Sequence, residues 1–136
     1  MQHKPLHARI CKIIRHFMKY PKPLGPYVAS RKTKNKNELI FCSGQIGLDE
    51  NGEIKEDIKL QTTQVLKNIQ GVLSEHNLTL EDVLKTTIFL TNMGDFEAVN
   101  QIYGSFFKPP YPARSTIEVR ALPKGAKIEI EVIAQS

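Results

Sequence analysis

At 136 residues, 40% hydrophobic and 24% charged, the chain has the make-up of one domain with a core of ordinary size, and no run approaches the ~20 apolar residues of a membrane span. Two cysteines, Cys11 and Cys42, are too few for a disulfide scaffold, which points to an intracellular protein with Cys42 as a core thiol. Ten of the 19 Lys/Arg and none of the 14 Asp/Glu fall in residues 1–36, so the net charge of +5 divides into +10 there and −5 over 37–136, and the body lacks the clustered cations of a nucleic-acid surface.

Residues 1–20 read as a basic extension, either disordered or a targeting leader, although it lacks the serines common in organelle presequences. His3 and His7 have no carboxylate or thiol nearby and read as tail histidines rather than a metal site. Residues 21–136 form a single domain. Pro21, Pro23 and Pro26 stop any helix and deliver the chain extended into a strand over 27–31, followed by a charged turn over 32–37. The nearly continuous apolar character of 38–43 predicts a strand covered on both faces, closed by Gly44 and Gly47, and 49–52 is a turn. From Ile58 to Leu73 the apolar period becomes 3.6, a first helix with Lys59, Gln61, Gln64, Lys67 and Gln70 on its wet face. Asn77 suits a left-handed position after it, and Thr79 with Asp82 resembles a capping box.

The β-branched run 83–90 predicts a strand. Asp95 is expected to cap a second helix with Phe96, Val99, Ile102, Tyr103, Phe106 and Phe107 on its apolar face. Alternation of Ile117, Val119 and Ala121 marks a strand after Pro112, broken at 122–125. The strand over 127–134 sets Ile128, Ile130 and Val132 against Lys127, Glu129 and Glu131. The order β-β-(β)-α-β-α-β-β predicts an α+β fold, a mixed sheet with two helices packed on one face, and the bare face is expected to be covered by a copy of the chain.

No nucleophile elbow, phosphate-cradling loop or dinucleotide fingerprint occurs, and His76 is the sole histidine beyond residue 20. Any catalysis therefore falls to Arg, Glu, Tyr, hydroxyls and backbone groups. Arg114 has the planar, permanently charged fork that clamps a carboxylate, though it reads equally as a surface or structural arginine. Glu129 suits a general acid–base if its neighbours raise its pKa, against the plainer reading as the wet face of a strand. Tyr27, Ser43 and Asn100 each set a polar tip beside an apolar run and, singly, read as satisfied buried hydrogen-bonding groups.

Taken in order, Leu24-Gly-Pro-Tyr27, Phe41-Cys-Ser-Gly-Gln-Ile46, Thr62-x-x-Val-Leu-x-Asn-Ile69, Val83-x-Lys-Thr-Thr-x-Phe-Leu90, Asp95-Phe-x-x-Val-Asn-x-x-Tyr103, Pro112-Ala-Arg-Ser115 and the closing Leu122-Pro-Lys with Ile128-Glu-Ile-Glu resemble the reactive intermediate deaminase family, RidA or YjgF. The resemblance implies a chorismate-mutase-like fold, a homotrimer with its sheets toward a central barrel, and sites in the clefts between subunits. It implies hydrolysis of small enamine/imine acids, 2-aminoacrylate/2-iminopropanoate and 2-iminobutanoate, to 2-keto acids and ammonia, without cofactor or metal. Arg114 would then hold the substrate carboxylate. Glu129 would place or activate the attacking water and pass its proton, with Tyr27 beside it. Ser43 and the Gly44 backbone would lie near the carboxylate, and Asn100 would line the cleft. Thr116, where the family often has cysteine, would face the substrate amine, and Ala29 stands where glutamine is common. The partners expected are imino and keto acids and other copies of the chain, with no membrane, in the cytoplasm or, through the basic extension, in an organelle. Members of the family have also been described as endoribonucleases and translation inhibitors, an alternative that the acidic body opposes, and a catalytically silent ligand-binding or chaperone-like trimer is a third.

Overall fold

The structure is a computed structural model that describes residues 19–25, 27–32 and 38–136. The His3/His7 pair, Cys11 and most of the charged turn at 32–37 lie outside the described residues. Seven main elements follow: β1 (Ser30–Lys32), β2 (Leu39–Ile46), α1 (Ile58–Ser74), β3 (Val83–Leu90), α2 (Phe96–Phe106), β4 (Ala113–Glu118) and β5 (Ile128–Gln135). The sheet runs β1-β2-β5-β3-β4, antiparallel throughout except for the parallel pair β3/β4. Both helices lie on one face, giving the mixed α+β architecture expected. No helix among the described residues is long and apolar enough to cross a membrane.

α1 begins where the Asp57 carboxylate accepts hydrogen bonds from the Lys59 and Leu60 amides at 2.8 and 3.0 Å, and it ends before Asn77, which takes the left-handed φ of 58°. Val65, Leu66, Ile69, Val72 and Leu73 are fully buried against Ile88, Leu90, Ile128, Ile130 and Val132 of the sheet. Each such side chain contributes about 1.5–3 kcal/mol over leaving it in water. Cys42 belongs to the same core, and burial pushes its thiol up to about 12, so it stays protonated and inert. The Thr79/Asp82 capping box is present as expected.

Several boundaries differ from expectation for identifiable reasons. β1 spans Ser30–Lys32; ahead of it the Ser43 amide still bonds the Ala29 carbonyl, and beyond that the Val28 carbonyl is taken by the Ser43 hydroxyl at 2.6 Å. β2 is not closed by its first glycine. A register shift between Cys42 and Gln45 makes a bulge at Ser43–Gly44, and the strand continues to Ile46. Nor is β2 covered on both faces within one chain, since Phe41 is 46% exposed. Gln61 is buried rather than wet. Its side chain donates to the Lys55 carbonyl at 2.7 Å and accepts from the Lys127 amide at 2.9 Å, tying the start of α1 to the start of β5.

Asp95 makes no capping bond. The Asn92 side chain instead accepts from the Gly94 amide at 2.9 Å and opens a 3₁₀ turn, Met93–Asp95, that runs into α2. β4 contains Arg114 and ends at Glu118, the partner of Leu90, so the alternation beyond it has no strand left to pair with. β5 divides as predicted, with Ile128, Ile130 and Val132 inward and Glu129 and Glu131 on the bare face.

Candidate functional site

Glu129 is held by β5 between β2 and β3, in register with Ile46 on one side and Phe89 on the other. Its carboxylate lies directly over Gly44: a Cβ at that position would collide with Oε1 and come within 2.8 Å of Cδ and 2.9 Å of Cγ. The glycine in the β2 bulge is therefore the space that Glu129 occupies, which no other residue type leaves free. Burial pushes the Glu129 carboxyl above the usual carboxylate range, and the charge of Glu131, two residues on and on the same face, pushes it further in the same direction.

Around this pair is a cleft of about 390 Å³ lined by Pro21, Leu24, Tyr27, Ser43, Gly44, Ile46, Pro123, Glu129 and Glu131 among others. Tyr27 is half exposed, and its hydroxyl accepts from the Leu24 amide at 3.1 Å, which curls the proline-rich entry segment over the cleft mouth. The Ser43 amide donates to the Ala29 carbonyl at 2.8 Å, so Ser43 is fixed by both its backbone and its side chain. Four of the residues predicted for a site, Tyr27, Ser43, Gly44 and Glu129, are thus brought to one cleft.

The other predicted residues gather elsewhere. Arg114 and Thr116 alternate onto the helix-covered face of β4, the edge strand. The Arg114 guanidinium carbon lies 4.8 Å from the ring centroid of Tyr103 and 5.6 Å from that of Phe96. Arg114 is exposed and has no carboxylate partner among the described residues. Asn100 sits on α2 four residues after Phe96 and three before Tyr103, on the helix surface that these rings share. Thr116 Oγ1 is the single buried side-chain polar atom without a hydrogen-bond partner among the described residues. Arg114 and Glu129 are two strands apart and on opposite faces of the sheet, so one chain does not hold them in one pocket.

Residues 17–136 match the family model described as Endoribonuclease L-PSP. The chain belongs to the RidA/YjgF family. Among its relatives, the chloroplastic Reactive Intermediate Deaminase A of Arabidopsis thaliana is 48% identical over 118 residues, covering 85% of this chain and 62% of that protein. A RutC family protein of Pyrococcus abyssi is 46% identical, covering 85% of this chain and 91% of its own. Among solved structures, RidA from the Antarctic bacterium Psychrobacter superposes with a TM-score of 0.82 at 37% identity, over 87% of this chain and 94% of that one. Escherichia coli TdcF with bound serine superposes with a TM-score of 0.80 at 35% identity, over 88% and 94%.

Membership of the RidA/YjgF family accounts for the order of the motifs, and the geometry shows what the motifs place together. From the sequence Phe96 and Tyr103 belong to the apolar, core-facing side of the second helix. Their seven-residue spacing, which puts two rings on one helix face, was the available signal that they could also meet a side chain from the sheet. Glu131 reads in sequence as wet surface, yet its position two residues after Glu129 on a strand puts both carboxyls on one face.

Proposed function

We propose that this protein is an imine deaminase, hydrolysing 2-aminoacrylate/2-iminopropanoate and 2-iminobutanoate to 2-keto acids and ammonia in the cytoplasm, as a homotrimer with its sites between subunits. One observation carries the proposal: an arginine with no acidic partner among the described residues and a carboxyl of raised pKa stand on opposite faces of the same sheet, each at an open surface. Two such half-sites are completed when the edge strand of one copy meets the cleft of another. The bare face of the sheet, with Phe41 and Ile117 each nearly half exposed, is apolar enough to be covered in such an assembly.

In the completed site Arg114 binds the substrate carboxylate through its fork, with the Ser43 hydroxyl and the Gly44 backbone close by. The imine carbon is then presented to a water beside Glu129. Glu129 accepts a proton from the water as the water oxygen bonds to that carbon and the C=N π pair moves to nitrogen, and it passes that proton to the nitrogen to give a neutral carbinolamine. In the collapse Glu129 takes the hydroxyl proton as the C=O bond forms and delivers it to the nitrogen as the C–N bond breaks, releasing ammonia. A carboxyl raised toward neutrality is suited to both transfers. Tyr27 shapes the mouth, while Asn100 and the Thr116 backbone line the Arg114 side. The imine is already an electrophile, so fixing, orienting and one shared proton suffice.

The serine bound to TdcF supports a site for small carboxylates in this fold. The assay generates 2-iminobutanoate with a threonine dehydratase and follows 2-keto acid release. Acceleration by the wild type and its loss in Arg114→Ala are expected; no acceleration, or full activity in the variant, would overturn the assignment. The family description as an endoribonuclease gives RNA cleavage as the second activity to assay, which the net charge of −5 over residues 37–136 disfavours.

A further inference from the structure

The Arg114 guanidinium is held by rings rather than by an acid among the described residues, and the nearer ring is itself fixed. Tyr103 is 6% exposed, its ring stacks on Phe107 with centroids 4.4 Å apart, and its hydroxyl shares a 2.9 Å hydrogen bond with Thr86 Oγ1. Thr86 is the β3 residue in direct register with Arg114 on β4. The contacts therefore close a circuit: the ladder joins residues 86 and 114, the Thr86 side chain holds the tyrosine, and the ring face carries the guanidinium. Phe96, two turns earlier on α2, presents the second ring at 5.6 Å. Both distances fall within the ~6 Å over which a cation is drawn to an aromatic face.

A ring face attracts the cation without consuming its in-plane N–H donors, whereas a carboxylate partner would occupy two of them. An arginine free in solvent, by contrast, must give up rotamer freedom when it binds. We propose that Phe96 and Tyr103 form an aromatic seat that sets the plane and direction of Arg114 before a ligand arrives, leaving its donor edge open to a carboxylate. They are positioning residues, acting through Arg114, and the inference rests on the carboxylate-binding role given to Arg114 above.

The test has one arm without ligand and one with it, both on the full chain. In the ligand-free protein the Arg114 side-chain protons should be shifted upfield by ring current in the wild type and should lose that shift in Phe96→Leu and Tyr103→Leu; an unshifted wild-type Arg114 overturns the seat. In titrations with pyruvate, Phe96→Leu should weaken binding by about threefold to tenfold. Phe96→Tyr, which keeps a ring there, should recover most of the affinity. In an Arg114→Ala background, Phe96→Leu should have no further effect, as expected when one residue works through the other. Equal affinity in wild type and Phe96→Leu, or an undiminished effect of Phe96→Leu without the arginine, overturns the inference. Absence of pyruvate binding by a wild type whose Arg114 is ring-shifted overturns instead the carboxylate role of Arg114.

Discussion

Arg114 and Glu129 belong to one sheet, yet their surroundings treat charge in opposite ways. Around Arg114 the neighbours are ring faces and an edge open to solvent, conditions under which a guanidinium keeps its charge and its donors. Around Glu129 burial and a second carboxylate both work against ionisation. The first environment suits holding an anion, which needs a permanent partner. The second suits moving a proton, since a carboxyl raised above its ordinary range takes a proton up more readily.

The largest effect is expected from removing the group that titrates. Glu129→Gln should lower kcat by about 10²–10⁴-fold, the range of general acid–base catalysis, and abolish the acidic limb of the pH–rate profile. The same substitution should stabilise the fold. A carboxyl whose folded pKa lies above its unfolded value costs stability once it ionises, so what it contributes at acid pH is lost as pH rises through the folded value. The melting temperature of Glu129→Gln should thus exceed that of wild type at neutral pH, with the gap closing in acid; a gap of opposite sign would mean that the carboxylate is welcome where it lies.

Next in size, Gly44→Ala should cost up to about 10²-fold in kcat, since the new methyl displaces the Glu129 carboxyl and a shift of ~1 Å is enough for that loss. A crystal structure of the variant with Glu129 unmoved would break the link between bulge and carboxyl. Arg114→Lys keeps the charge but loses the fork, and should raise KM by about tenfold, one good charge-assisted hydrogen bond. The smallest effect is expected at Thr116. Replacing its partnerless hydroxyl by the methyl of valine should change the stability of the chain by less than ~1 kcal/mol, measured by urea unfolding. A larger loss would mean that the hydroxyl finds its partner across the seam between copies.

Much of the framework was legible in the chain itself. The 3.6-residue period of α1, the alternation of β5, the capping box at Thr79 and the left-handed Asn77 are local properties, and the structure reproduces each of them. Where local chemistry misled, a distant partner had intervened. Gln61 reads as surface because the helical period sets it among polar residues, but its side chain is taken by the Lys55 carbonyl ahead of the helix and by the Lys127 amide far along the chain. β4 stops at Glu118 because β3 runs out, whatever the alternation that follows.

The same division applies to the site. Residue type alone settled that Arg114 is a permanent cation and that Gly44 leaves room where a side chain would stand. That the room is filled by Glu129, that Glu131 adds to its raised pKa, and that Phe96 and Tyr103 receive Arg114 were decided by tertiary structure. Strand order and register set those meetings. They bring together groups from separate elements, and the hydrophobic pattern of any one element specifies which face is buried but not which strand will lie beside it.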